Sequence, residues 1–555
     1  QSVLVQVSSP GVDTALALRE PDCSTEDMCL NATGAGEQLD VPVLAPGSIY
    51  YIVVEGVGGV QGDFNIGYTL GPARPPNDPC EGAITLTDGV TLTGETITDA
   101  QSDQNGTCGN NNRPDVAYRF TVPAGPNLRA RVTVSNATFD PALHLHMGAC
   151  DGTELGCVAG TGDGEVLDLP SLAAGDYFVW VEADDNGSGT FDIGLELLTE
   201  VGPPGNDVCA SPETLTLATT DTGNSTVGAA ADYDLTCAAG DGRDTVHQLT
   251  MGAGALLVTV TPQPSPWNLA AELRLDADCA AGPTVACEAD GQPVRHINCK
   301  SLVAGTYDVL VAGAGGAAGD YDIRYDTRAA DSSFGYWIND TSGNTYTSIA
   351  GTAGATQVAV TTTGTYSLAA DEAEYSISLP FTFSYHGANR TQIFATTNSY
   401  LTFASATVTF LNDCPLDTSA PNEALVPFWD DGIATTASQM WTRTDGVAPD
   451  RRFTIEYKNF DVLQCNTNCM ANDVVDVNVN HQVVLYENGD IEFRYGPRTA
   501  SNTGCTGRDR GCSATVGIEG NGGNDVDSVQ CNTIVSPGPI IDGRVVQFIH
   551  PSTCN

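Results

Sequence analysis

Leu128-Arg-Ala-Arg-Val-Thr-Val, Arg452-Phe-Thr-Ile-Glu-Tyr-Lys-Asn-Phe and Val483-Val-Leu-Tyr-Glu-Asn-Gly-Asp-Ile-Glu-Phe-Arg-Tyr alternate apolar with polar positions and end at Gly, Asn or Asp. Successive side chains of an extended strand point to opposite faces, so a period of two marks half-buried β-strands. Glu487-Asn-Gly-Asp, between two such runs, is a hairpin signal, because an Asn-Gly turn matches the twist of the strands it joins. Turn residues recur about every 8–12 positions, the spacing of a β-sandwich. No long helical periodicity competes. An all-β chain of tandem sandwich modules is expected.

The pattern repeats. Asn77-Asp-Pro-Cys80-Glu-Gly-Ala-Ile-Thr-Leu corresponds to Asn206-Asp-Val-Cys209-Ala-Ser-Pro-Glu-Thr-Leu, the two cysteines lying 129 positions apart (209 − 80). Each follows a Pro-rich linker, Arg74-Pro-Pro or Gly202-Pro-Pro, and each has a second Cys 28 positions on, Cys108 and Cys237. Arg113-Pro-Asp-Val-Ala-Tyr-Arg-Phe then matches Arg243-Asp-Thr-Val-His-Gln-Leu more weakly. Leu172-Ala-Ala-Gly-Asp-Tyr-Phe-Val-Trp-Val matches Leu302-Val-Ala-Gly-Thr-Tyr-Asp-Val-Leu-Val, and Gly189-Thr-Phe-Asp-Ile-Gly-Leu matches Gly319-Asp-Tyr-Asp-Ile-Arg-Tyr. Residues 1–72 repeat only the later part of the unit: Ser2-Val-Leu-Val-Gln-Val is the 128–134 strand and Leu44-Ala-Pro-Gly-Ser-Ile-Tyr-Tyr-Ile-Val-Val the closing one.

The frame built on Asn77-Asp-Pro-Cys80, Pro114-Asp-Val-Ala-Tyr-Arg-Phe-Thr-Val-Pro-Ala-Gly and the Gly-Asp-Tyr closing strand resembles the bacterial pre-peptidase C-terminal domain over residues 76–198, and less closely over 205–327. The resemblance implies a jelly-roll-like sandwich, an accessory module of secreted proteins. Pro380-Phe-Thr-Phe-Ser-Tyr-His-Gly, Leu425-Val-Pro-Phe-Trp-Asp-Asp-Gly and the Arg452 and Val483 runs resemble the nidogen-like extracellular domain over about 370–550, which implies adhesion and matrix contexts. The expected domains are 1–72, an incomplete sandwich; 73–199 and 200–327, complete ones; and 328–555, a larger β-rich domain. A sandwich lacking its first strands exposes sheet edges that invite another chain. The strand Ser2, Val3, Leu4, Val5, Gln6 and Val7 is the candidate assembly interface. Two explanations stand: residues ahead of Gln1 complete the unit, or a neighbouring subunit does, giving a head-to-tail polymer.

Charge narrows the partners. The chain carries 69 acidic and 22 basic residues, a net −47, and its only lysines are Lys300 and Lys458. Phosphate recognition needs clustered cations, so nucleic acid is excluded, and an anionic membrane repels the chain. High-salt adaptation, diffuse divalent-cation binding and plain solubility all fit such acidity. No apolar run is long enough to span a membrane. The first residue is Gln, the start expected of a processed or truncated product.

Eighteen cysteines set the compartment. None pairs with His at zinc-ligand spacing, so a disulfide framework in an oxidising, extracellular or cell-surface location is expected. The candidates are Cys80, Cys108, Cys209, Cys237, Cys531 and Cys554, together with the close neighbours Cys23/Cys29, Cys150/Cys157, Cys279/Cys287, Cys465/Cys469 and Cys505/Cys512, read as short-range pairs between strands. A Cys299–Cys414 bridge between modules also fits, although spacing alone does not fix connectivity.

Candidate chemistry is sparse. No HExxH, GxSxG, Walker-type or helix-opening GxGxxG motif occurs. His144 and His146 share one side of a strand, and in the absence of a third ligand they read as a pair on a solvated sheet face. Asp184, Asp185, Asn186 and Asp192 gather hard oxygen ligands at a hairpin, a weak calcium site beside an ordinary turn reading. Asp430 and Asp431, adjacent and so facing opposite ways on a strand, suit a structural or metal-tuning role better than acid–base chemistry. Seven Asn-x-Ser/Thr sequons permit glycosylation without arguing for it. The expected function is non-enzymatic: an extracellular structural or adhesive protein partnered by its own copies or a cell surface, with polysaccharide or substrate binding beside a secreted hydrolase as the alternative.

Overall fold

The computed structural model describes residues 1–554 apart from 20–25, 32–35, 46, 111, 161, 186, 239–241, 264–266, 276–278, 280–281, 290–293, 331–332, 343–345, 361–369, 406–407, 415, 420, 464–473, 501–510, 512, 524 and 532–539. Among the described residues the only helices are three-residue 3-10 turns, and the chain is all-β.

The first unit has six strands: β1 Ser2–Ser8, β2 Thr14–Arg19, β3 Glu26–Leu30, β4 Gly36–Val41, β5 Tyr51–Gly56 and β6 Asn65–Gly71. They make two three-stranded sheets, β4-β1-β6 and β3-β2-β5. Alternation places Val3, Val5 and Val7 of β1 against Leu16 and Leu18 of β2, forming a small core with Leu39 and Val41.

The second unit adds β7 Ile84–Thr85, β8 Val90–Thr96, β9 Asp115–Val122, β10 Leu128–Ser135, β11 Pro141–Met147, β12 Thr153–Val158, β13 Glu165–Leu172, β14 Gly175–Ala183 and β15 Thr190–Thr199. The third adds β16 Glu213–Thr214, β17 Asp221–Ser225, β18 Asp244–Met251, β19 Gly254–Gln263, β20 Leu269–Leu275, β21 Thr284–Glu288, β22 Arg295–Leu302, β23 Gly305–Gly313 and β24 Asp320–Arg328. Sheets β13-β10-β15-β8 and β12-β11-β14-β9-β7 recur as β22-β19-β24-β17 and β21-β20-β23-β18-β16. Register recurs too. His144 lies opposite Trp180 as Glu272 lies opposite Leu310 and Ala17 opposite Val53.

Two expectations need correction. β1 is the middle strand of its sheet, paired on both sides by β4 and β6, so its backbone groups are already spent and Ser2–Val7 offers no free edge. Of the near-neighbour cysteines, Cys150 and Cys157 do not bond each other, nor do Cys279 and Cys287. The bridges are Cys80–Cys150 and Cys209–Cys279, which start ahead of each unit's first strand, and Cys108–Cys157 and Cys237–Cys287, which start from the arm between its second and third strands. Cys299 bonds Cys554 and Cys414 bonds Cys531, in place of a Cys299–Cys414 bridge. Cys29 is exposed and bridges no described cysteine. Cys23, Cys465, Cys469, Cys505 and Cys512 lie outside the described residues.

The second and third units share one continuous hydrophobic core cluster. Polar contacts reinforce the join. Arg129 and Arg131 on β10 both bind Asp168 of β13 and both reach Asp320 at the start of β24. Asn268 donates to buried Glu165, whose Oε1 also accepts the Gly160 amide at 2.7 Å. Beyond residue 333, a ten-stranded and a six-stranded sheet enclose a core rich in aromatic residues, including Phe383, Tyr385, Tyr457 and Phe493. Asn298 of β22 anchors this part, its Nδ2 donating to the carbonyls of Gly335 and Ile549 at 3.0 Å each.

Candidate functional site

Counterparts of β7, β8 and β9 are not among the described strands of the first unit, so β5 and β6 are edge strands there. Register fixes the comparison. Val7 faces Ile66 as Val134 faces Ile193, and Val5 faces Tyr68 as Val132 faces Leu195. Ile193 and Leu195 are 0% and 2% exposed, whereas Ile66 and Tyr68 are 48% and 67% exposed. Phe191 packs edge-on against Tyr118 of β9 and Phe139. Its first-unit counterpart Phe64 has no β9 to meet and is exposed, with Ile49, Tyr51 and Leu70 exposed alongside. Covering a side chain of this size is worth about 1.5–3 kcal/mol, and on this side of the first unit these side chains stand open to solvent.

The calcium residues scatter. Asp192 accepts from the Gly94 amide and from Asn136, Asp185 accepts from the Gly187 amide, and Asp184 accepts from Asn110. Asn186 lies outside the described residues. None of these joins a group of three metal-ligating side chains among the described residues. Asp430 and Asp431 sit at the bend after Trp429 and diverge: Asp430 accepts from Ser513, while Asp431 faces Asp371 and Glu372.

His144 and His146 share a face as expected, but that face is not solvated. They are 0% and 3% exposed, roofed by the disulfide-pinned arm, where a side chain in place of Gly106 would strike the His144 ring. Glu154 of β12 lies beside them. Period-two reading finds the shared face and misses the roof, because the roof is a segment crossing from elsewhere in the chain.

No helix among the described residues is long and apolar enough to cross a membrane. Residues 335–539 match the family model described as NIDO related, and residues 76–185 match a model described as galactose binding domain-like. No curated protein matches the chain. Among solved structures, the pre-peptidase C-terminal domain of a collagenase from Bacillus anthracis is similar at 17% identity, covering 20% of this chain and 94% of that one, with a TM-score of 0.16. The M60 catalytic domain with CBM51-1 and CBM51-2 domains from Clostridium perfringens ZmpB aligns at 9% identity, covering 58% and 54%, with a TM-score of 0.13. A secreted protein from Parabacteroides distasonis aligns at 8% identity, covering 42% and 86%, with a TM-score of 0.13. The matched family models are binding-type modules. Together with the six disulfides among the described residues, they fit a secreted-type protein with one region similar to a galactose-binding-like module and another similar to a nidogen-related one.

Proposed function

We propose that the chain is a non-enzymatic structural or adhesive component of an extracellular assembly, in which a neighbouring subunit docks by adding strands to the open side of the first unit. What supports the reading is the contrast at equivalent positions, Tyr68 at 67% exposure against Leu195 at 2%. Two adjacent open edges, one on each sheet, suit β-augmentation: backbone hydrogen bonds supply affinity while alternate side chains fill the apolar slot. The test is electron microscopy of native material beside an Ile66→Asp, Tyr68→Asp variant. Regular filaments lost in the variant support the reading. Intact mass showing upstream residues that complete the unit, in a particle that stays monomeric, would overturn it.

The match of residues 76–185 to a galactose-binding-like module favours a second reading, a glycan-binding accessory region. A glycan array on the monomeric variant tests it, and uniform background signal rejects it.

A further inference from the structure

His144, His146 and Glu154 form a buried cluster that leaves one ring nitrogen without a hydrogen bond. His146 Nδ1 lies 2.9 Å from the carbonyl oxygen of Gly152, so that nitrogen must carry hydrogen. A neutral His146 then has a bare Nε2, and His144 Nδ1, 2.8 Å away, must donate to it. That leaves His144 Nε2 bare, fully buried and without a partner, facing Glu182 Oε2 at 4.0 Å. The opposite tautomers set two acceptors face to face at Gly152. The two hydrogen bonds use both hydrogens of the neutral imidazoles, and the buried His144 Nε2 has none left for the Glu182 carboxylate. A cation between the rings resolves the mismatch: it takes both facing lone pairs, keeps Nδ1–H on Gly152, and turns Nε2–H of His144 toward the Glu182 carboxylate. A carboxylate behind a ligating imidazole is the common outer support of a metal-bound histidine.

The third unit shows the same place filled by a built-in cation. Register puts Glu272 at the position of His144, Arg274 at that of His146 and Thr284 at that of Glu154. There Arg274 donates from Nε to Glu272 at 2.7 Å and from Nη1 to the Cys279 carbonyl at 2.8 Å. The amide of Thr236 on the covering arm is held by Glu272, just as that of Thr107 is held by Glu154 at 3.0 Å. One unit answers the buried acceptors with a guanidinium. The other has no Arg or Lys in the cluster.

We propose that His144 Nδ1, His146 Nε2 and a Glu154 carboxylate oxygen bind one divalent transition-metal ion of the zinc type, with a fourth position left to water. The ligand atoms lie within 4.8 Å of one another. Bonds of about 2.0–2.2 Å need ligand atoms roughly 3.4 Å apart, so small side-chain movements suffice. Two imidazoles and one carboxylate favour such an ion over calcium. The ion would clamp β11, β12 and the arm at Thr107 together.

The test uses the full chain produced under oxidising conditions, loaded with Zn2+ and dialysed, then compared with a His144→Glu, His146→Arg variant that installs the third unit's own pair. The expected result is about one more zinc per chain in the unaltered protein, with a chelator lowering its melting temperature and leaving the variant's unmoved. Co2+ substitution should give visible d–d absorption in the unaltered protein alone. Equal metal content in the two folded proteins, with neither responding to chelation, would overturn the proposal. His146→Gln provides the same comparison if the double variant does not fold.

Discussion

Arg131 of the second unit donates from Nη2 to Asp320 Oδ2 of the third at 2.8 Å, while its Nε donates to Asp168 within its own unit at 2.8 Å. Asp320 therefore completes a cluster of two arginines and two aspartates across the join. Burial, which pushes the Asp320 carboxyl up, is outweighed by hydrogen bonds from Ser225 and Arg131 and the charge of Arg129, which hold it below its usual range. Removing one partner of a fully buried pair costs about 3–5 kcal/mol. Asp320→Ala should cost less, about 2 kcal/mol, because Asp168 still holds both guanidinium groups. Urea unfolding should show the second and third units losing their common transition. An unchanged single transition would show that the apolar core alone couples them.

Equivalent positions should respond unequally to one substitution. Ile193→Ala opens a cavity in a closed core and should cost about 2–5 kcal/mol. Ile66→Ala trims a side chain that is already half in water and should cost under about 1 kcal/mol in the dissociated chain. Denaturation midpoints of the two variants check this. Similar losses would mean that the first unit's side is covered in solution.

Acidification should stabilise the protein, contrary to common behaviour. Asp115 and Asp244 open β9 and β18, and each accepts two backbone amides. Burial nevertheless pushes their carboxyls up to about 8 and about 6, helped by Asp103 and Glu182 around the first and by Asp232 and Asp207 around the second. Burial, with Asp413 and Asp417 nearby, pushes Glu519 up to about 8. A folded pKa above the unfolded one means that the native state holds its proton more tightly. The resulting stability is complete below the unfolded value near 4 and is lost as pH rises through about 6 to 8. Asp320 and Glu272, shifted the other way, matter only below about pH 4–5. Calorimetry should find a melting temperature several degrees higher at about pH 5 than at about pH 8.5, with Asp115→Asn flattening the trend. A flat or rising profile in the unaltered chain contradicts this.

The repeat and its strands were legible because a period of two and Gly- or Asp-rich turns are local signals. Leu143-His-Leu-His shows which residues share a side, and Leu143 and Leu145 do face the core. What covers the other side is a matter of chain crossing. The arm around Gly106 lies over His144 of β11, pinned by the bridge from Cys108 to Cys157, 49 positions away. Cysteine spacing misled for the same reason: Cys150 and Cys157 are close along the chain, but their partners, Cys80 and Cys108, arrive from separate earlier segments. Position in sequence also failed to give position in the sheet, so β1 lies inside its sheet and β6 bears the open side.

The Cys299–Cys554 bond also sets where mechanical load travels. A pull applied beyond Cys554 passes through the sulfur pair straight into β22 and on toward the second unit. The segment from Lys300 to Thr553, with every strand of the C-terminal sheets, hangs off that line as a closed loop and is not stretched. Tension along such a polypeptide would be borne by the disulfide and the strands ahead of Cys299, while the C-terminal sheets stay folded off the line of force.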